Sequence, residues 1–204
     1  MSVEPTESEQ KAIELFREQG GTLRTSEALR LGIHPRTLYA LRDTRVLEQI
    51  CRGLYRLAEM PPFAHPDLVT VSLKVPQAVI CLLSALAFHE LTTQIPHAVH
   101  IALESKAETP RIDYPPLRVF WFSGPAWSEG IESHTLDDVS VRMYSPAKSV
   151  ADVFKYRNKI GLDVALEALR LYRRDAAFDV GELMGYARVC RVENVIRPYL
   201  EALL

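Results

Sequence analysis

Residues Gly20 to Leu57 read GGTLRTSEALRLGIHPRTLYALRDTRVLEQICRGLYRL, and the organisation of the chain follows from their spacing. Ala28 is small enough to let two helices cross closely, and Gly32 supplies a left-handed turn that side chains resist. Leu31, Ile33, Leu38 and Leu41 then fall where they close the wedge between those helices. Pro35 suits the first turn of the second helix, since the N–H it lacks would have had no intrahelical partner there, and His34 precedes that turn. Further on, Val46 to Ile50 and Leu54 to Leu57 read as short strands around Cys51-Arg52-Gly53. Two helices across a glycine turn, followed by a hairpin, predict a winged helix-turn-helix. Its recognition helix runs from His34 to Arg42, and its wing carries Arg52 at the tip.

With Leu38 and Leu41 facing inward, the α-helical period leaves Arg36, Tyr39 and Ala40 pointing out, Asp43 beyond them and Thr37 on the flank. Arg42 lies nearer the packed side, so its stem is expected over the core and its head in water. The outer face offers a guanidinium for guanine, a phenol, and a small apolar surface of the kind that meets a thymine methyl in a major groove. Arg36, Thr37, Tyr39 and Ala40 are therefore the expected base contacts. From Arg24 to Arg56 there are seven arginines, no lysine, and only Glu27, Asp43 and Glu48 against them. That choice favours forked contacts to phosphate and base edges. Thr25, Ser26, Arg45, Arg52 and Arg56 are the expected phosphate contacts, with Thr25 capping the helix before the turn and leaving the amides after it open to an anion.

The remaining composition sets the class. A chain of 204 residues can bury an ordinary core, and a net charge of −2 gives it no global basic field, so nucleic-acid affinity must come from a patch. Cys51, Cys81 and Cys190 are isolated and lack C-x-x-C spacing, which argues for reduced thiols in the cytoplasm and against a disulfide framework or a zinc site. Glu4, Glu7 and Glu9 occupy the place of a basic signal-peptide region. Val75 to Phe88 is the most apolar stretch, but it is too short for a membrane span and is interrupted by Pro76, Gln77 and Ser84. A cytoplasmic protein without a membrane partner is expected.

Thr6 with Glu9 predicts a capping box for a first helix whose inner face is Ala12, Ile13, Leu15 and Phe16, ended by Gly20 and Gly21. Pro61, Pro62 and Pro66 put the domain boundary after residue 60, giving a DNA-binding domain over 1–60 and a second domain over 61–204. In the latter, Asp67 opens a helix to Lys74, and Cys81 to Glu90 forms a more buried one. Strands at His97 to Leu103, Leu117 to Phe122 and Val139 to Tyr144 make a small sheet over about residues 97–144. Trp121 and Trp127 are expected as core and loop anchors. From Ser145 to residue 204 the pattern is a helical tail: Ser145-Pro146 starts a helix, Gly161 stops one, Asp163 starts another, Asp179 with Glu182 makes a capping box, and a last helix runs from about Glu193 to Leu203 around Pro198. The fold class expected is α+β, a winged helix-turn-helix followed by an α/β domain with a small sheet and a helical C-terminal tail.

With those pieces placed, the chain resembles the AbiEi antitoxin family of bacterial abortive-infection toxin-antitoxin systems. The resemblance rests on Gly32-Ile33 leading into Arg36-Thr37-Leu38-Tyr39, and on Arg52-Gly53-Leu54-Tyr55-Arg56-Leu57 in the wing. It continues through Ser84-Ala85-Leu86-Ala87-Phe88-His89 and Ser145-Pro146-Ala147-Lys148-Ser149-Val150-Ala151-Asp152. Glu90 departs from it, since the family often has glycine after this histidine. The resemblance implies a type IV antitoxin without enzymatic activity. Its first domain would repress its own operon at inverted repeats in double-stranded operator DNA, and its second would antagonise a nucleotidyltransferase-like toxin, with direct binding not assumed.

Two other classes have footholds. Glu104-Ser105-Lys106 at a strand end is half of a PD-(D/E)xK nuclease arrangement, active or as an inactive relative of that fold, for which Pro66-Asp67 would supply the other half; the separation is long, and Asp67 reads better as a helix cap. A stand-alone, ligand-responsive regulator is the other class, but no glycine-rich phosphate loop or other cofactor motif supports it, and no cofactor is expected. Asp137-Asp138 reads as a turn, because adjacent strand residues face opposite ways and cannot share a metal. His97 and His100 are three apart on a strand and likewise diverge, while His89 reads as a hydrogen-bonded core or capping group, so no metal site is expected. Lys148, Lys155, Arg157, Arg173 and Arg174 are candidates for a second basic surface on the helical tail, beside Lys159, Arg170, Arg188 and Arg191.

Overall fold

The structure is a computed structural model that describes residues 6–137 and 139–203. It is a mixed α+β protein whose chain divides into two compact units, Met1–Ala64 and His65–Leu204.

The first unit opens with α1 (Glu7–Glu18), and its capping box is formed: Glu9 N–H donates to Thr6 Oγ1, and Thr6 N–H donates to Glu9 Oε2 at 2.7 Å. Gly20 and Gly21, both at φ 77°, turn the chain into β1 (Thr22–Arg24). Then come α2 (Thr25–Arg30), α3 (Pro35–Asp43), β2 (Leu47–Cys51) and β3 (Leu54–Leu57). The sheet order is β1-β3-β2, antiparallel throughout. At three residues β1 is too short to show a period of two, so residue spacing does not reveal it. Phe16, Leu23, Ala28, Ile33, Leu38, Leu41, Leu47, Tyr55 and Leu57 are buried together, with Ile13 and Leu15 packed at the margin. Gly32 adopts φ 87°, as the turn between α2 and α3 requires. Leu31 does not close the wedge: it follows the last turn of α2 and stays 38% exposed, and Ile33 fills that place after the glycine reverses the chain.

The second unit comprises α4 (Pro66–Lys74), β4 (Val79–Ile80), α5 (Leu82–Phe88), β5 (Val99–Glu104), β6 (Leu117–Phe122), α6 (Pro125–Ser128), β7 (Ile131–Leu136) and β8 (Val139–Tyr144). They are followed by α7 (Pro146–Lys155), α8 (Arg157–Ile160), α9 (Leu162–Arg174), α10 (Val180–Val189) and α11 (Glu193–Glu201). Its mixed sheet runs β6-β5-β4-β8-β7, so it begins at Val79 rather than at residue 97. β4 is only two residues long, and β7 is a largely polar edge strand, so neither gives an apolar signal.

Alternation along the strands feeds two cores. Val79, Ala102, Phe120, Phe122 and Tyr144 join the apolar sides of α7, α9, α10 and α11. Ile80, Ile101, Leu103, Val141 and Met143 meet Val71 of α4 and Val75 just after it. At the helix starts, Ser145 Oγ accepts from Lys148 N–H and Asp179 Oδ1 from Glu182 N–H, as the cap residues predict. α4 begins at Pro66 after His65, so Asp67 lies inside its first turn and is not its cap. α9 likewise begins at Leu162, after Gly161. Asp137 turns between β7 and β8 at φ 49°, while Asp138 lies outside the described residues.

Candidate nucleic-acid interface

α3 presents two unlike sides. Leu38 and Leu41 are each 1% exposed, whereas Arg36 and Tyr39 are exposed and Thr37 and Ala40 are half-buried between them. His34 caps the helix through Nδ1, which accepts from Arg36 N–H at 3.2 Å. The Arg42 head does leave the core, but it is engaged: Nε and Nη2 both donate to Asp43 Oδ1, at 2.9 and 2.7 Å, and the guanidinium lies 5.1 Å from the Tyr39 ring centroid. The Arg42–Asp43 pair therefore braces Tyr39, a role that residue spacing did not suggest.

Two further arginines are exposed at the ends of the adjoining elements. Arg45 sits at φ 59° in the turn that closes α3, where Val46 N–H donates to the Leu41 carbonyl at 2.9 Å. Arg52 is half of the two-residue turn Arg52-Gly53 joining β2 to β3, and Gly53 takes φ 77° there. A bulge in β2 between Gln49 and Cys51 sharpens the twist just before this turn.

Two phosphate candidates need correction. Thr25 is the first residue of α2 and not its cap; Arg24 holds that position, and its N–H donates to Glu27 Oε2 at 2.8 Å. Thr25 N–H is itself spent on the Gly53 carbonyl at 2.9 Å. The start of α2 thus already carries a carboxylate, which opposes an anion there, although Ser26 beside it is exposed. Arg56 is buried: it is 6% exposed, donates through Nη2 to the Pro61 carbonyl at 2.6 Å, and lies 3.9 Å from the Phe63 ring centroid. It pins the segment after β3, on the face of that strand opposite Tyr55 and Leu57, which enter the core.

The second basic surface is also revised. Lys148 is fully buried, with Nζ 2.6 Å from Asp152 Oδ2 and 4.0 Å from the Tyr144 ring centroid, and Cys190 Sγ donates to the same carboxylate at 3.1 Å. Burial pushes the Asp152 carboxyl up against the pull of Lys148. Helical position did not reveal this, because Lys148 and Asp152, four apart, look like an ordinary exposed pair. Lys155, Arg157 and Arg173 are half-buried and Arg174 is exposed. Arg157 donates to the Phe154 carbonyl at 2.9 Å, and Arg173 lies 5.5 Å from the Phe178 ring centroid.

The two motifs of the second unit that carry the family resemblance meet at one atom. His89, capping the C-terminus of α5, hydrogen-bonds through Nε2 to the Tyr144 carbonyl at 2.9 Å, and Ser149 Oγ of α7 donates to the same oxygen at 3.2 Å. Glu90 adopts φ 58°, so the turn that glycine would favour is kept with a side chain in place. Trp121 is 47% exposed and is not a core anchor, because it lies on the outer side of β6, tied by Nε1 to the Ala107 carbonyl. Trp127 packs at the core margin. Of the nuclease candidates, Glu104 is exposed at the end of β5 and Lys106 lies in a turn at φ 81°. Among the described residues, the His/Asp/Glu ligand atoms found within 4.8 Å of one another belong to His89, Glu132 and His134, a group that includes neither Glu104 nor Asp67. No helix among the described residues is long and apolar enough to cross a membrane.

Comparison with known proteins places this geometry. The crystal structure of the RV2827C protein from Mycobacterium tuberculosis is similar in fold, with a TM-score of 0.57 at 12% identity over 97% of this chain and 81% of that one. No curated protein matches the chain. Residues 10–58, from within α1 to just beyond β3, match the family described as transcriptional regulator, AbiEi antitoxin. Over those residues the N-terminal unit is similar to the AbiEi antitoxin family of transcriptional regulators.

Proposed function

We propose that this protein is an operator-binding repressor whose N-terminal unit acts as a winged helix-turn-helix. The observation that carries the reading is the two-sided α3, with Arg36, Thr37, Tyr39 and Ala40 outside and Leu38 and Leu41 sealed within. α3 enters the major groove. Arg36 and Thr37 reach base edges, Ala40 meets a thymine methyl, and Tyr39 is braced by Arg42. Arg45 and Arg52, with the exposed hydroxyl of Ser26, hold phosphates on either side. Operator sites are inverted repeats in double-stranded DNA. The second unit serves as the antitoxin, counteracting a nucleotidyltransferase-like toxin without enzymatic activity of its own. The support for this part is the resemblance of the Ser84–His89 and Ser145–Asp152 segments, which lock together through the Tyr144 carbonyl.

The test is retardation of the chain's own upstream region against an unrelated duplex of equal length, across a salt series and with magnesium in parallel. Specific, salt-dependent retardation without cleavage is expected. Equal, weak binding to both duplexes would remove operator recognition, and cleavage that needs both magnesium and Glu104 would put a nuclease in its place.

A further inference from the structure

We propose that His89, Glu132 and His134 form a binding site for a divalent ion of the zinc class at the edge of the second unit's sheet. Glu132 and His134 are two apart on β7, so their side chains leave the same face of that edge strand. Their cross-strand partners are Met143 and Val141, whose side chains belong to the core on the α4 side. His89 comes to the same place from the end of α5, and its ring centroid is 5.7 Å from that of His134. One ligand atom from each of the three residues lies within 4.8 Å of the other two.

Three details favour an ion over a chance meeting of polar groups. His134 Nε2 is shielded from solvent and makes no hydrogen bond, yet it sits 3.3 Å from Glu132 Oε2. Two donors bound tetrahedrally to one zinc at about 2.0–2.1 Å are themselves about 3.3 Å apart. The second detail is the tautomer of His89: a carbonyl only accepts, so the 2.9 Å contact of Nε2 with Tyr144 O makes Nε2 the protonated nitrogen and leaves a lone pair on Nδ1. A backbone carbonyl held by the far ring nitrogen is the support that metal-binding histidines usually have. Third, burial lowers the affinity of His89 for a proton, which favours the neutral form that ligates.

Phe88 walls one side, its ring centroid 5.0 Å from His134 and 5.4 Å from His89, which limits competing water. Closing the set around an ion requires the ligand atoms to converge by roughly 1 Å, within reach of the exposed Glu132 and half-buried His134 side chains. Two imidazoles and a carboxylate leave a fourth position for water, and such a donor set favours zinc, cobalt or nickel over calcium or magnesium. Neither buried thiol takes part, since Cys190 is bonded to Asp152 and Cys81 lies in the core on the opposite side of the sheet.

The experiment titrates tag-free, chelator-stripped full-length protein with zinc chloride by calorimetry, and with cobalt chloride by visible absorption. One ion per chain is expected, with a cobalt spectrum of nitrogen and oxygen ligation that lacks thiolate charge transfer. His134→Ala and Glu132→Gln, both on the accessible edge strand, should each weaken binding at least tenfold. His97→Ala, at an exposed histidine outside the group, should leave it unchanged. Far-ultraviolet circular dichroism of each variant separates lost ligation from lost fold. Absence of binding by either ion, or folded His134→Ala and Glu132→Gln variants that bind as the parent does, overturns the site.

Discussion

The two units distribute their charges in opposite ways. Among the described residues, the first unit buries one charged side chain, Arg56, and leaves Arg36, Arg45 and Arg52 in solvent around α3. The second sinks Lys148, Asp152 and His100 into its interior. Solvated arginines cost little to keep and are available to a partner; buried ionisable groups make stability depend on each neighbour and on pH. The first unit thus exposes the groups proposed to contact DNA, while the second turns its charged groups inward.

The strongest way to break that contrast is Lys148→Met. It strands the Asp152 carboxylate in the core and should cost about 3–5 kcal/mol, read as a lower urea midpoint for the second unit alone. Adding Asp152→Leu should restore most of the loss, since the pair is then replaced by packing.

Acid should act on the same unit. Burial, with repulsion from Arg118 behind it, holds the His100 imidazole down to about 4 from an ordinary 6.5. Between those values the unfolded chain binds the extra proton, so stability is intact above about pH 6.5 and falls as pH drops to about 4. The loss is about 3 kcal/mol from His100, and His89 adds to it in the same direction. Thermal unfolding against pH should show the slope, and His100→Leu should flatten it. Among the described residues the first unit has no buried histidine, so this source of acid sensitivity belongs to the second unit.

Changes on α3 should do the reverse, altering binding and leaving both melting transitions in place. Arg36→Ala should cost about 1–3 kcal/mol of discrimination at one base position, whereas Arg52→Ala should weaken all duplexes and lower the salt slope by about one. Footprints of both variants that match the parent's would show the groove assignment to be wrong. The smallest effect expected is a gain: Glu90→Gly relieves a left-handed side chain and should raise the second unit's stability by about 0.5–1 kcal/mol in urea titration.

The same contrast explains what could be read from residue order. A helix with one sealed side declares itself through its period, so α3, its proline start, the Gly32 turn and the hairpin were all legible. So were the caps at Thr6, Ser145 and Asp179. β1 and β4 were invisible because two or three residues carry no period, and β7 because an edge strand with polar residues looks like a loop. Arg56 and Lys148 were misplaced for a related reason: composition assigns cations to water, and only tertiary partners bring them inside. His89, Glu132 and His134 come together through the register of β7 on β8 and the placement of α5, neither of which residue spacing encodes.

β3 is hydrogen-bonded on both sides, to β2 and to β1, and the Gly53 carbonyl beside the hairpin turn accepts the amide that begins α2. The tip is therefore clamped close to its free end, and Leu57 N–H is held on the Gly21 carbonyl at the other. An arm built this way has little conformational freedom to surrender on meeting a duplex, so association should resemble rigid docking and its heat capacity change should stay small. The Thr25 and Leu57 amides should therefore exchange slowly with deuterium in the free protein and gain little further protection in the complex.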